Sequence, residues 1–355
     1  MSILDHLEEY EKIDPANLLK NVSELPEQLK AAWEEVKGVV LPSYYTRVQK
    51  VVVLGIGGSA IAGYLAKSYS DLTTNLPFLV FSDYRLPQWV DKDCLVLANS
   101  YSGDTEETLS ALQEAIKRRC KIVAVTTGGK LAQIALSYKF PLYRYEYKSP
   151  PRQALGYSLG AILGILNKLA LISLKERDLD ESVHLLQHLN SKINPKVTTS
   201  QNQAKQLAEK LYDKIVIILS GELLNSVARR FKTQLNENSK QMAFFEILPE
   251  SCHNFIVGLE FPAVIHQKTF LLILSSKYDH KRVMLRRRIV EEIFAKSEIE
   301  YEELQLDLAM TPLAEILSFV YLLDYTSFYL AILNKVDPER IDNIKYLKQK
   351  LSESL

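Results

Sequence analysis

At 355 residues, 47% of them hydrophobic and 24% charged, the chain has the composition of a globular protein with two cores, not of a disordered or fibrous one. Its 43 Lys and Arg balance 43 Asp and Glu, which excludes a long-range pull toward nucleic acid or an anionic membrane; an anionic ligand must be held by local geometry. Cys94, Cys120 and Cys252 are widely separated and lack metal-ligand spacing, so neither a zinc knuckle nor a disulfide framework is expected, and a reducing cytoplasm fits best.

The opening MSILDHLEEYEKID carries acids early and has no basic start or long apolar stretch, so no export signal is expected. A mostly helical, amphipathic arm runs to about Val40. Val51–Leu54 then reads as a central strand, followed by Gly55-Ile56-Gly57-Gly58-Ser59 and a helix through Tyr69. Further strands are predicted at Phe78–Phe81, Cys94–Ala98 and Lys121–Thr126, with a helix over Thr105–Arg119 between the last two. Short apolar strands separated by helices predict a parallel sheet covered on both faces. Gly128-Gly129 reads as a closing turn, and Ser149-Pro150-Pro151 leads to a long helix starting near Arg152. Leu155–Leu174 is the most apolar helical stretch, but Asn167 and Lys168 interrupt it, so it reads as a helix against a sheet and no membrane span is expected.

Asp178–Leu189 reads as a surface helix and the polar Asn190–Gln203 as a crossing between domains. The second half repeats the opening pattern: the strand Ile215–Leu219, the turn Ser220-Gly221-Glu222, then a helix through Phe231. Strands at Ala243–Ile247 and Thr269–Ser275 extend a second sheet, and helices over Asp279–Lys296, Pro312–Leu333 and Pro338–Leu351 complete the chain. The expected class is α/β with two domains, residues 1–190 and 191–355, each a parallel-sheet three-layer α/β/α sandwich.

Two loops carry the chemistry. Gly57-Gly58-Ser59 lies between a strand and a helix, where glycines allow close approach and the helix start offers unpaired N–H groups to an anion. It lacks the third glycine of a dinucleotide fingerprint and the Lys-Ser/Thr of a P-loop. Asn99-Ser100-Tyr101-Ser102-Gly103-Asp104-Thr105 occupies the same place after a neighbouring strand, so the hydroxyls of Ser100, Ser102 and Thr105 can converge on one phosphoryl group. An ordinary capped helix, with Thr105 or Asp104 as the cap, is the plain alternative for either loop; two loops at one sheet edge favour a binding site.

Glu237, in the polar run Gln234–Lys240 between two apolar stretches, is a candidate base for a proton beside a carbonyl, and otherwise a solvated loop or helix residue. His253 can serve as acid or base near neutrality, or as a cap. Arg152 can steady an enediolate, or pair structurally at a domain edge. Lys345 and Lys348 share a face of the last helix. The basic runs His280-Lys281-Arg282 and Arg286-Arg287-Arg288 read as charged helix surface, not as a nucleic-acid stripe.

GIGGSAIAG at 55–63, SYSGDTEETL at 100–109, PRQALGYSLG at 151–160, NENSK at 236–240 and PESCHN at 249–254 together resemble the bifunctional phosphoglucose/phosphomannose isomerase family, within the sugar isomerase domain proteins. The resemblance implies two sugar isomerase domains and metal-free, cofactor-free interconversion of glucose 6-phosphate or mannose 6-phosphate with fructose 6-phosphate. It gives Glu237 as the base, Arg152 as the enediolate partner, and Lys348, with Lys345 as rival, as the terminal-helix lysine. Ser59, Ser100, Ser102 and Thr105 match phosphate-binding positions. His253 would open the ring in the neighbouring subunit's site of a homodimer. Asp104, where Asn is expected, is assigned to capping the helix that follows it, and Cys252 stands where a polar amide is common. The alternatives are an isomerase of another phosphosugar and a non-catalytic phosphosugar-binding regulator.

Overall fold

A computed structural model describes residues 2–306 and 310–353. The amino-terminal arm forms α1 (Leu7–Ile13), α2 (Leu18–Ser23) and α3 (Leu25–Val36). The first sheet then alternates β1 (Lys50–Leu54), α4 (Gly58–Thr73), β2 (Phe78–Phe81), β3 (Cys94–Asn99), α5 (Glu106–Lys117), β4 (Lys121–Thr126), α6 (Gly129–Tyr138) and β5 (Leu142–Arg144). Its five strands are parallel in the order β2-β1-β3-β4-β5. The connection reverses direction at β1 and β3, which opens a crevice at their carboxyl ends, where ligands collect in such sheets.

Next come α7 (Leu155–Lys168), α8 (Glu176–Ile193) and α9 (Gln203–Leu211). The second sheet unit comprises β6 (Ile215–Ser220), α10 (Asn225–Glu237), β7 (Ala243–Ile247), β8 (Thr269–Ser275), α11 (Lys281–Phe294) and β9 (Glu300–Gln305), and α12 (Pro312–Leu333) and α13 (Asp342–Glu353) follow. Its parallel order β7-β6-β8-β9 reproduces the first four positions of the first sheet, so the repeated topology expected from the sequence is present. Both β1 and β3 bury nearly every residue, because helices cover the sheet on both faces.

Several elements differ from the sequence reading for local reasons. Gly129 opens α6 instead of closing a turn. Helix α7 stops at Lys168, because Ala170 turns left-handed at φ 54° and the Leu171 N–H closes back onto the Leu166 carbonyl. Helix α8 is longer than expected and is no mere surface helix: Leu179, Val183 and Leu186 are buried, and it packs on α3 and α12. Strand β9 escapes a hydrophobic-run search because its sequence, EYEELQ, is that of a charged edge strand.

Helix α7 lies against α3 through glycines one turn apart. A Cβ at Gly156 would fall 2.8 Å from the Leu29 nitrogen, and one at Gly160 2.8 Å from the Leu29 carbonyl oxygen, so side chains there would push α3 away from α7. The most apolar helix is α12, not α7. Its length and composition would suit a bilayer, but nearly all of it is buried within the protein, between α8, α9 and α10. Its tyrosines keep their hydroxyls satisfied: Tyr321 donates to the Ser23 carbonyl (2.8 Å) and Tyr325 to the Asn190 side chain (2.7 Å).

Candidate active site

The first cradle loop leaves β1 at Leu54. Gly57 takes φ 56°, and a Cβ at Gly58 would lie 2.8 Å from the Arg152 Cα, so the loop rests on the main chain of the short 3-10 turn Pro151–Gln153. Ser59 ties this loop to the second: its hydroxyl accepts from the Tyr101 N–H (3.2 Å) and its carbonyl from the Asn99 amide (2.9 Å). In the second loop the Ser100 and Thr105 hydroxyls are 3.0 Å apart, and Ser100 Oγ also accepts from the Gly103 N–H at 3.1 Å. Ser102 is exposed and its hydroxyl accepts from the Asp104 N–H. The four hydroxyls therefore belong to two mutually bonded loops at the crevice of the first sheet.

Asp104 caps a different helix from the one expected. Its carboxylate accepts from the Lys130 N–H at the start of α6 (3.0 Å), while α5 has no side-chain cap. That bond draws the negative charge to the positive end of α6.

Arg152 is 3% exposed and each of its three guanidinium nitrogens makes a hydrogen bond. Nε donates to Asn238 Oδ1 (2.8 Å), Nη2 to the Pro338 carbonyl (2.6 Å), and Nη1 to the Glu237 carboxylate (3.4 Å). Burial lowers the Arg152 pKa, and the neighbouring Glu237 charge opposes that fall. Glu237 is the last residue of α10, because the helix continues beyond Phe231, so of loop and helix the structure has it on the helix. Its carboxylate, 24% exposed, opens onto a cleft of about 630 Å³ that it shares with Lys240, Asp337, Arg340 and Ile341. Lys240 turns left-handed past the helix end and donates to the Glu237 carbonyl (2.7 Å) and the Asp337 carbonyl (2.8 Å). Burial, with Arg152 nearby, pulls its pKa down to about 8.

The structure thus brings Arg152 and Glu237 together and lays the cradle loop on the same arginine. His253 stands apart. It ends an exposed 3-10 turn after β7, and its side chain makes no hydrogen bond or ion pair among the described residues. Lys345 and Lys348 lie on the exposed α13, whose first turn borders the cleft, but neither touches Glu237. Sequence reasoning missed Asn238 and Lys240 as individual contributors, although both lie within NENSK.

The equivalent edge of the second sheet cannot serve as a phosphate cradle. Asp279 is packed against Gly221, leaving no room for a Cβ, and pairs with Arg287 at 3.3 Å. Burial pushes its pKa up to about 6. The folded chain therefore holds this proton more tightly than the unfolded one, and the stability it contributes, complete below about pH 4, is lost as the pH rises through about 6. Asp279→Asn should flatten that part of the stability profile by on the order of 3 kcal/mol, read by denaturant unfolding at stepped pH. An unchanged slope would contradict it. Among the described residues no group of three or more His, Cys, Asp or Glu is placed to hold a metal ion.

Comparisons with known proteins agree with this architecture. Residues 44–137 match the SIS domain family, and residues 200–351 match the bacterial phospho-glucose isomerase C-terminal SIS domain. A bifunctional phosphoglucose/phosphomannose isomerase of Caldicellulosiruptor bescii is 38% identical over 95% of this chain and 99% of its own length. A D-glucosamine-6-phosphate 4-epimerase of Sulfolobus acidocaldarius is 31% identical over 66% of this chain and 72% of its own. In fold alone, a hypothetical protein of Thermus thermophilus superposes with a TM-score of 0.73 at 16% identity, covering 95% of this chain and 90% of the other. The extent and level of the first match, with SIS domains in both halves, place the chain in the bifunctional phosphoglucose/phosphomannose isomerase family.

Proposed function

We propose that the protein interconverts glucose 6-phosphate and mannose 6-phosphate with fructose 6-phosphate through a cis-enediolate. The observation that carries this reading is the position of Arg152, whose main chain supports Gly58 of the cradle while its guanidinium meets the Glu237 carboxylate at 3.4 Å. A phosphate held at one end and a proton removed at the other suits a hexose 6-phosphate lying along this arginine.

In the proposed cycle the N–H groups of Gly57 and Gly58 and the hydroxyls of Ser59, Ser100, Ser102 and Thr105 take the phosphate. The partner subunit's His253 assists ring opening. Glu237 removes the C2 proton of the open aldose and returns it to C1. Meanwhile the O2 hydroxyl proton passes to O1, so the aldehyde becomes a hydroxyl and C2 becomes the ketone. Arg152 Nη1 faces the oxygen charge that develops, where a fixed guanidinium stabilises the transition state more than the substrate. Lys348, or Lys345 on the same face of α13, completes the site from the terminal helix.

Chelator-treated protein given each aldose phosphate should form fructose 6-phosphate from both. Conversion of one epimer alone would remove dual specificity. If neither converts although phosphosugars bind, the choice lies between a regulator and an enzyme of another phosphosugar; the Sulfolobus relative makes aminosugar phosphates the next substrates to assay.

A further inference from the structure

Helix α12 is apolar and buried almost throughout, yet Asp324 and Ser327 lie in its interior. Asp324 forms a closed ion pair with Arg230 of α10: Arg230 Nη2 and Nε donate to the carboxylate at 2.6 and 3.0 Å, and the two side chains are 4% and 2% exposed. A buried pair loses most of its attraction to desolvation, and apolar residues of similar volume are often as stable or more so. Stability alone therefore gives little reason for this pair.

Its remaining hydrogen bond supplies one. The same Arg230 Nη2 donates to the Arg152 main-chain carbonyl at 3.2 Å. Three residues further along α12, on the same face, Ser327 Oγ accepts from the Asn238 amide (3.0 Å), whose oxygen in turn accepts from Arg152 Nε (2.8 Å). One helix thus fixes both the main chain and the guanidinium of Arg152. With Nη2 anchored on Pro338, Nη1 is the part of the fork left to meet Glu237.

We propose that the Asp324–Arg230 and Ser327–Asn238 pairs are positioning elements through which α12 aims Arg152 at the reacting carbons. The inference rests on the isomerase reading above and adds residues remote from the cleft to that chemistry. Misplacing a reactive group by about 1 Å costs about a hundredfold in rate, so the effect should fall on kcat and largely spare KM.

The double variant Arg230→Met, Asp324→Leu removes the pair and fills its volume with apolar atoms. It should melt at or above the wild-type temperature yet turn over about ten- to a hundredfold more slowly, with KM within about threefold. Ser327→Ala leaves the buried Asn238 amide N–H without its acceptor, so it should lower the melting temperature modestly while the protein stays folded at the assay temperature, and should slow turnover about three- to tenfold; it decides the question if the double variant does not fold. Wild-type kcat in a folded double variant or in Ser327→Ala, or a loss that merely follows the fraction unfolded, overturns the proposal. The wild-type protein assayed alongside separates the two claims: an inactive parent defeats the isomerase reading and this inference together, whereas an active parent with unaffected variants defeats only the inference.

Discussion

Glu237→Gln is expected to lower kcat by about a thousandfold, the scale on which a positioned general base contributes. The substitution is nearly isosteric, and the amide oxygen can still accept from Arg152 Nη1, 3.4 Å away in the native site. Glu237 is also partly exposed at the end of α10, so its replacement leaves no buried hole. KM and melting temperature should therefore change little while turnover collapses, because the amide accepts no proton. Steady-state kinetics beside a thermal melt check this. Activity within tenfold of wild type would place the base elsewhere, and a large loss of stability would mean that Glu237 mainly serves to compensate the buried Arg152.

The second large effect concerns His253. It is exposed and makes no side-chain bond to Arg152 or Glu237, so within one chain nothing ties it to their cleft. The segment that follows is unusually apolar for a surface: Val257, Phe261 and Val264 are 71, 80 and 82% exposed. Clusters of this kind mark surfaces that another protein covers, which supports the proposal that a second copy covers this one and receives His253 in its site. His253→Ala should then lower turnover by about a hundredfold or more, as loss of a general acid does. Mixing inactive His253→Ala chains with inactive Glu237→Gln chains, after dissociation and reassociation, should restore about a quarter of wild-type activity. Half of the dimers are mixed, and each mixed dimer has one site with both native residues. No recovery, in a mixture shown to contain mixed dimers, would place both groups in the same chain's site.

The two loops proposed to hold the phosphate were legible in the sequence as loops at a sheet edge because their determinants are local. A strand of Val51–Leu54 followed by Gly57-Gly58-Ser59, and one ending at Ala98 followed by a hydroxyl-rich turn, announce themselves within ten residues; the observed β1 ends at Leu54 and β3 runs one residue further, to Asn99. The meeting of Arg152 with Glu237 was not legible from patterning. The two lie 85 residues apart, and the contact requires α10 to continue through Lys232-Thr233-Gln234, which carry no apolar signal beyond Phe231. The resemblance to the family brought those residues together before the geometry did. Asp104 shows the limit of local rules: a carboxylate beside a helix start looks like that helix's cap, but here α6, brought alongside by the sheet, takes it. The polar residues Asp324 and Ser327 of α12 were hidden for the opposite reason, since an apolar helix reads as pure core and their contacts to Arg230 and Asn238 become visible only once α10 is packed against it.

Proton transfer by Glu237 through one enediolate common to both epimers can be followed by running the isomerisation from fructose 6-phosphate in deuterated buffer with chelator present and identifying the aldoses by NMR and mass. Glucose 6-phosphate and mannose 6-phosphate should both form and both carry solvent deuterium at C2, because the proton on Glu237 exchanges with solvent while the enediolate is held. Absence of both aldoses, or aldoses formed without deuterium and at an undiminished rate in Glu237→Gln, would contradict this mechanism.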